Sequence, residues 1–375
     1  MTIDIPFADA FQIDPSPMWA RLREEQPIAR VRTLAGAEVW LVARYADVRF
    51  VLADPRFSRA AVVKDGAPRV ALAKPLPSSL TTTDPPEHTR LRRLVSPVFA
   101  HRRIEQTRPW IRKLAEELAE DVARAGDGAD LRELFALPLP IQVICELLGV
   151  PYEDRDRFRE WTELGYSMSP GDRERVDTAM TDMQAYMAGL NTTGLLGELA
   201  AELSHDELVA FGVNLLVAGH ETSANQIASC VATLLRFDLW EGLTDFELAV
   251  EELLRYNRFS EVGQLRVAIE DVEVAGQLVR EGEGVMAALN AANRDPRAFE
   301  DPDELDLGRQ SNQHLSFGAG PHFCLGAQLA RIELQESLRA LRTRFPHLKL
   351  AKPAEELEWR RVLVSGLAEL PVVLG

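Results

Sequence analysis

The chain has 375 residues, 46% hydrophobic and 27% charged, with 58 acidic against 42 basic side chains and a formal charge of −16. That apolar share suffices for a sizeable core and excludes wholesale disorder. The acidic excess argues against a chain-wide nucleic-acid or anionic-membrane binder, since both need positive potential. In chain order, alternating residues predict a hairpin of Ile28 to Leu34 against Val39 to Val42 across Ala35–Glu38. Apolar residues at three-and-four spacing predict helices over 102–124, 131–149, 152–163, 173–190, 204–236 and 246–258. Strands follow over 264–280 and 284–289, then a helix over 325–344 and a strand-forming tail over 361–374. Many helices beside a few antiparallel strands give a mainly α fold of the α+β class. No linker, repeat or low-complexity tract marks a boundary, so residues 1–375 are expected to form one domain.

Two stretches carry chemistry. Ser204-His-Asp-Glu207 is a capping box, so a helix begins there and, with no break before Asp238, runs beyond 30 residues, roughly 50 Å. At its centre, Ala218-Gly219-His220-Glu221-Thr222 turns abruptly polar. Glycine there costs about 1 kcal/mol against alanine and lets another group approach the backbone. The Thr222 hydroxyl can turn to the carbonyl of Ala218 and loosen the helix. Taken alone, this could also be a simple kink in a long helix.

The other stretch is Phe317-Gly-Ala-Gly-Pro-His-Phe-Cys-Leu-Gly326, directly before an amphipathic helix. At a helix N-terminus the dipole and free N–H groups favour a thiolate at Cys324. Gly318 and Gly320 allow N–H donors to face the sulfur, and Gly326 lets something flat lie close. The run fails as a dinucleotide fingerprint, since Phe323 stands where glycine is needed. It lacks further cysteine or histidine ligands for zinc. A single soft thiolate between aromatics suits the axial position of a haem iron. Cys145 and Cys230 have no C-x-x-C partner, so no disulfide framework exists and a reducing compartment is expected. The start lacks a secretory signal, and no run reaches the roughly 18 apolar residues of a membrane span. A cytoplasmic protein is expected, with neither nucleic acid nor membrane as partner.

The cysteine run resembles the haem-binding signature of the cytochrome P-450 superfamily, and three further motifs keep the family's order. They are Ala218-Gly-His-Glu-Thr222, Glu252-Leu-Leu-Arg255 and Asp84-Pro-Pro-Glu-His88-Thr-Arg-Leu-Arg92. The resemblance, to soluble bacterial members that tailor natural products, implies a long central helix over haem b (iron protoporphyrin IX) and small antiparallel sheets. It makes Cys324 the metal ligand and His88, Arg92, Arg266 and His322 the propionate partners, with Phe317, Gly318 and Gly326 lining the haem. Glu221 and Thr222 would deliver protons, and Ala218 and Gly219 would leave room for oxygen. Glu252, Arg255 and Arg309 would brace the cysteine loop. The implied activity is monooxygenation of a sizeable apolar natural product with O2, by hydroxylation or epoxidation. A ferredoxin and ferredoxin reductase would supply electrons from NAD(P)H to a monomer. Peroxide-driven or oxidative-coupling chemistry, or haem binding without turnover, are the alternatives.

Residues 88 to 113 hold eight basic side chains (Arg90, Arg92, Arg93, Arg102, Arg103, Arg108, Arg112, Lys113) and one acid, Glu105. This island is a candidate docking face for an acidic electron donor. The methionines Met168, Met180, Met183 and Met187 suit either an adaptable apolar surface or plain helix packing, and with the apolar loop 62–81 they suggest a large apolar substrate. The connections 190–198 and 237–246 are shorter than the family pattern leads one to expect.

Overall fold

The computed structural model describes residues 3–12, 14–190 and 194–375. Its axis is the central helix His205–Arg236 of 32 residues. The Ser204 hydroxyl accepts the Glu207 N–H at 3.3 Å, and Glu207 Oε2 accepts the Ser204 N–H at 2.8 Å. Two orphan donors are thereby met at the start. From Ser223 to Ala232 every residue is buried, so this half of the helix is core rather than surface.

Around it stand the helices Arg108–Ala125, Pro138–Leu148, Arg155–Gly165, Arg173–Gly189, Phe246–Tyr256 and Ala327–Arg344. Each coincides with an expected segment to within two residues at its C-terminus. The segment 102–124 is broken near Gln106–Thr107, and 131–149 opens with a wide π turn at Arg132–Ala136. The helix Ala327–Arg344 packs against both Arg108–Ala125 and the central helix. That places its N-terminus, at Cys324, beside the middle of the fold. The connection 237–246 is closed compactly: Trp240 is buried and its Nε1 donates to the Phe345 carbonyl at 2.9 Å. Of the other short connection, residues 191–193 lie outside the described residues.

The strands β1 (Ile3–Asp4), β2 (Ile28–Arg32), β3 (Glu38–Val42), β4 (Phe57–Ser58), β5 (Gln264–Ala268) and β6 (Gly284–Ala287) form one sheet in the order β1-β2-β3-β6-β5-β4. The β2–β3 hairpin has the expected pairing, Ile28 opposite Val42. The sheet is nevertheless mixed, because β3 pairs with β6 in parallel, Trp40 opposite Val285. This corrects the expectation of purely antiparallel sheets. The tail also differs: only Pro371–Val373 is a strand, and 359–367 is a turn held by single bridges.

The methionines pack inward. Met168, Met183 and Met187 are buried, and Met180 presses on Gly165. In the 62–81 loop Val62 and Leu72 are buried as well. These side chains fill the core rather than furnish an adaptable outer surface.

Candidate active site around Cys324 and the central helix

The Cys324 N–H donates to the Phe317 carbonyl at 2.9 Å, which folds 317–324 into a closed turn. The Gly326 N–H points at the sulfur. Gly318 and Gly320 have φ of +74° and +71°, and a Cβ at Gly320 would stand 2.7 Å from Ala53 Cα. These two glycines serve the turn and its packing; the donor to sulfur is Gly326, which corrects the expectation from sequence. Nothing lies within 4 Å of the place a Gly326 Cβ would take. Phe317 packs under Arg331, whose guanidinium lies 4.6 Å from the ring centroid. Desolvation pushes the Cys324 thiol up, and the Gly326 N–H, Arg92 and Arg331 only partly oppose it. Cys145 and Cys230 are core thiols, both pushed up to about 12 by burial.

A buried ionic cluster braces this loop from behind. Glu252 takes Arg255 at 2.6 and 2.8 Å and Arg309 at 3.1 Å. Arg255 also donates to the Asn293 carbonyl at 3.0 Å. The Asn293 side chain then holds the Leu315 N–H and the Ser316 hydroxyl, immediately before Phe317.

In front of the loop is a gathering of cations. The rings of His88 and His322 lie 4.2 Å apart, and His88 Nε2 is buried without a protein partner. Burial, helped by Arg266, His88, Arg59 and Arg92, drives His322 down to about 2. Arg266 is buried, and its Nη1 donates to the Leu265 carbonyl at 3.1 Å. Arg59 Nη1 donates to that same carbonyl at 2.7 Å. Burial lowers Arg59 to about 10 and Arg266 well below the ordinary guanidinium value. Asp84 is the acid acting on both. Arg92 donates to the Phe323 carbonyl at 2.6 Å, and its charge acts on His88, His322 and Cys324. Arg59 was not singled out from sequence, because a lone arginine after Phe57-Ser58 carries no signal until β4 pairs with β5.

On the central helix, Ala218 is exposed and Leu215 and Thr222 are half-buried, whereas Leu216, His220, Glu221 and Ser223 are buried. One face, three-and-four spaced, is thus open at mid-helix. The Thr222 hydroxyl donates to the Ala218 carbonyl at 2.5 Å, as its spacing predicts. A Cβ at Gly219 would stand 2.8 Å from Ile144 Cδ1, so the glycine admits the helix Pro138–Leu148 at this point. Glu221 lies on the inner face, paired with Arg360 and 3.8 Å from Arg132. Burial opposes its ionisation, but Arg360, His220 and Arg132 outweigh that and hold it below the usual carboxylate range. Arg132 and Arg360 were not foreseen; they lie 89 and 139 residues from Glu221 and meet it only in the fold.

A cytochrome P-450 family model matches residues 243–365. Nocardicin C N-oxygenase of Nocardia uniformis subsp. tsuyamanensis is 44% identical, covering 99% of this chain and 98% of its own. Mycinamicin IV hydroxylase/epoxidase of Micromonospora griseorubida is 42% identical, covering 98% of each. The chain belongs to the cytochrome P-450 family. A crystal structure of a cytochrome P-450 with biaryl coupling reactivity superposes with a TM-score of 0.93 at 34% identity, covering 100% of both chains.

This cytochrome P-450 is a monooxygenase whose family carries a haem iron, and the residues present fit that group. Arg59 and Arg266 share one carbonyl, His88 Nε2 lacks a partner, and one acid stands among them. Such a cluster calls for added negative charge, which two propionates would bring. The exposed Cys324 sulfur and the open side of Gly326 suit a flat macrocycle. No described helix is long and apolar enough to cross a membrane.

The basic island is largely neutralised within the fold. Arg108 and Arg112 bond Glu336, Arg103 bonds Glu198, and Arg90 bonds Glu87 and Glu207. Arg93 and Arg102 are exposed without an ion-pair partner among the described residues.

Proposed function

We propose that the protein inserts one oxygen atom from O2 into a sizeable apolar natural product, and that Cys324 would hold the iron of haem b. The observation that carries the proposal is the exposed Cys324 sulfur on a closed glycine turn, with the Gly326 N–H as donor and a cationic cradle beside it. When bound, the haem supplies oxygen binding and O–O cleavage, which thiolate ligation favours. Arg59, Arg266, His88, His322 and Arg92 would hold its propionates, and Arg92 also ties the cysteine turn through the Phe323 carbonyl. Phe317 shields the sulfur from water, and the Glu252–Arg255–Arg309 cluster keeps the turn in place. Thr222 and Glu221 deliver protons: the hydroxyl faces the open side of the helix, and the carboxylate behind it can be recharged.

The relatives named above are a nocardicin C N-oxygenase, a mycinamicin IV hydroxylase/epoxidase and a cytochrome P-450 with biaryl coupling reactivity. They support a natural-product substrate and leave the oxidised atom to be found. Reductive activation of O2 is favoured over peroxide-driven chemistry by the intact Glu221–Thr222 pair. Electrons would come from a ferredoxin and its NAD(P)H-linked reductase in the cytoplasm, the donor docking near Arg93 and Arg102. The test is Thr222→Ala with a ferredoxin, its reductase and NADPH. The variant is expected to keep consuming oxygen but to release most of it as hydrogen peroxide. Peroxide yield equal to the parent enzyme would remove Thr222 from proton delivery.

A further inference from the structure

The groups around Glu221 form an ionic series graded toward solvent. Arg360 Nη1 donates to Glu221 Oε1, and Arg132 Nη2 lies 3.8 Å from the same oxygen. The same two guanidinium groups reach a second carboxylate on the helix Arg155–Gly165. Arg360 Nη2 stands 3.4 Å, and Arg132 Nη2 3.5 Å, from Glu163 Oε1. Arg159 donates to Glu163 at 3.2 Å and turns its remaining nitrogens to Glu133 at 2.6 and 2.7 Å. Side-chain exposure rises in that order, from 0% at Glu221 to 30% at Glu163 and 38% at Glu133.

The inner end of the series is polar on more sides than the protein satisfies. Glu221 Oε2, Arg132 Nε and Nη2, and His220 Nε2 are buried without a hydrogen-bond partner, as is Asn225 Oδ1 one turn along. Donors and acceptors clustered in this way are the lining that ordered water uses. The backbone is shaped for it. Arg132 opens the π turn Arg132–Ala136, a local widening that turns its side chain inward. Arg360 sits on the turn 359–367, which also ties the end of the Glu163 helix, since the Leu363 N–H donates to the Tyr166 carbonyl at 2.8 Å. The same turn holds Asn225 of the central helix through the Val364 carbonyl at 3.3 Å. One short segment thus fixes the distance between Glu163 and Glu221.

We propose that Glu163 is the solvent-side end of the route by which protons reach Glu221, with Arg360 and Arg132 as positioning residues that hold the two carboxylates at either end of ordered water. The inference rests on Glu221 being the distal acid. Guanidinium groups keep their protons, so the transfer runs between carboxylates and water. Glu163 takes a proton from bulk water and passes it inward. Glu221 receives it and gives it up, and both return to the ionised form with one proton moved inward. Glu163 touches no reacting atom; it acts through Glu221.

The test uses the haem-loaded enzyme with NADPH, a ferredoxin and its reductase. Oxygen consumption is followed in H2O and in D2O for Glu163→Gln and Glu221→Gln, which keep side-chain size but cannot carry the proton. The reduced carbon-monoxide spectrum serves as the control for intact haem ligation. Glu163→Gln is expected to slow oxygen consumption about tenfold with an enlarged solvent isotope effect, and Glu221→Gln to slow it further. Glu163→Asp, which keeps the carboxylate, should restore the rate. A crystal structure of the haem-loaded enzyme should show water joining Glu221 Oε2 to Glu163. Slowing in Glu221→Gln with parent behaviour in Glu163→Gln would overturn the route while leaving Glu221 as the acid. Parent behaviour in both would overturn the two together, and slowing in Glu163→Gln alone would also refute the route.

Discussion

Two buried glutamate–arginine clusters in this molecule are built on opposite plans. Glu252 is met on both oxygens: Arg255, Arg309, Asn312 and the Asp306 N–H donate to it between 2.6 and 3.1 Å. Glu221 is met on one oxygen by Arg360, with Asn225 at a long 3.4 Å, and its other oxygen has no protein partner. Both glutamates are fully buried. A carboxylate whose every lone pair is taken can only brace, and Glu252 braces the cysteine turn. A carboxylate with capacity left over can exchange with water, and that is what proton delivery requires. Burial and charge pairing are common to both acids; what separates them is the unmet hydrogen-bonding capacity of Glu221.

The comparison makes graded predictions. Arg255→Ala strips the closed cluster of its central cation and should cost about 3–5 kcal/mol in urea unfolding, with poor haem retention. A loss below about 1 kcal/mol would mean that the cluster is not the brace it looks like. Arg360→Gln should cost less, about 1–3 kcal/mol, because Arg132 remains beside Glu221 and the cluster is already open. Equal losses in the two variants would erase the distinction.

Glu333 extends the series to a buried carboxyl with no cation at all. It faces Ser223 from the helix Ala327–Arg344, and burial raises it from 4.5 to about 8. A raised carboxyl favours the fold while the unfolded chain is also protonated. That contribution is present below about 4.5, declines as pH rises and levels off above about 8. Glu333→Gln should therefore gain stability relative to the parent at pH 8 and little at pH 5, read by urea titration at both. A variant that tracks the parent at both pH values would show Glu333 ionised in the fold. The smallest effect is expected at the surface. Arg93→Glu and Arg102→Glu should leave stability within about 0.5 kcal/mol yet slow reduction by ferredoxin, more so at low salt. Reduction rates indifferent to charge and salt would move the docking face elsewhere.

What the sequence made legible was local. The capping box at Ser204, the Thr222-to-Ala218 hydrogen bond and the Glu252–Arg255 pair each lie within four residues, and each is present. The cysteine turn was legible as a motif. What escaped depends on contacts far apart in the chain. The helix Tyr45–Ala53 was missed, and its first N–H is capped by Asp295, 250 residues away, at 2.8 Å. Arg59 becomes part of the cradle only through β4 pairing with β5, and Arg360 reaches Glu221 only through the terminal turn. The Met168–Met187 group stayed open in the sequence because helical spacing is the same for a core stripe and for a substrate lining, and Met168, Met183 and Met187 are buried.

The central claim is that Cys324 binds a haem iron as thiolate. Its direct test is the carbon-monoxide difference spectrum of the reduced protein and of Cys324→Ala. The parent should show the red-shifted Soret band characteristic of thiolate ligation, and the variant should lose it. Absence of that band in the parent, or its survival in Cys324→Ala, would contradict the assignment.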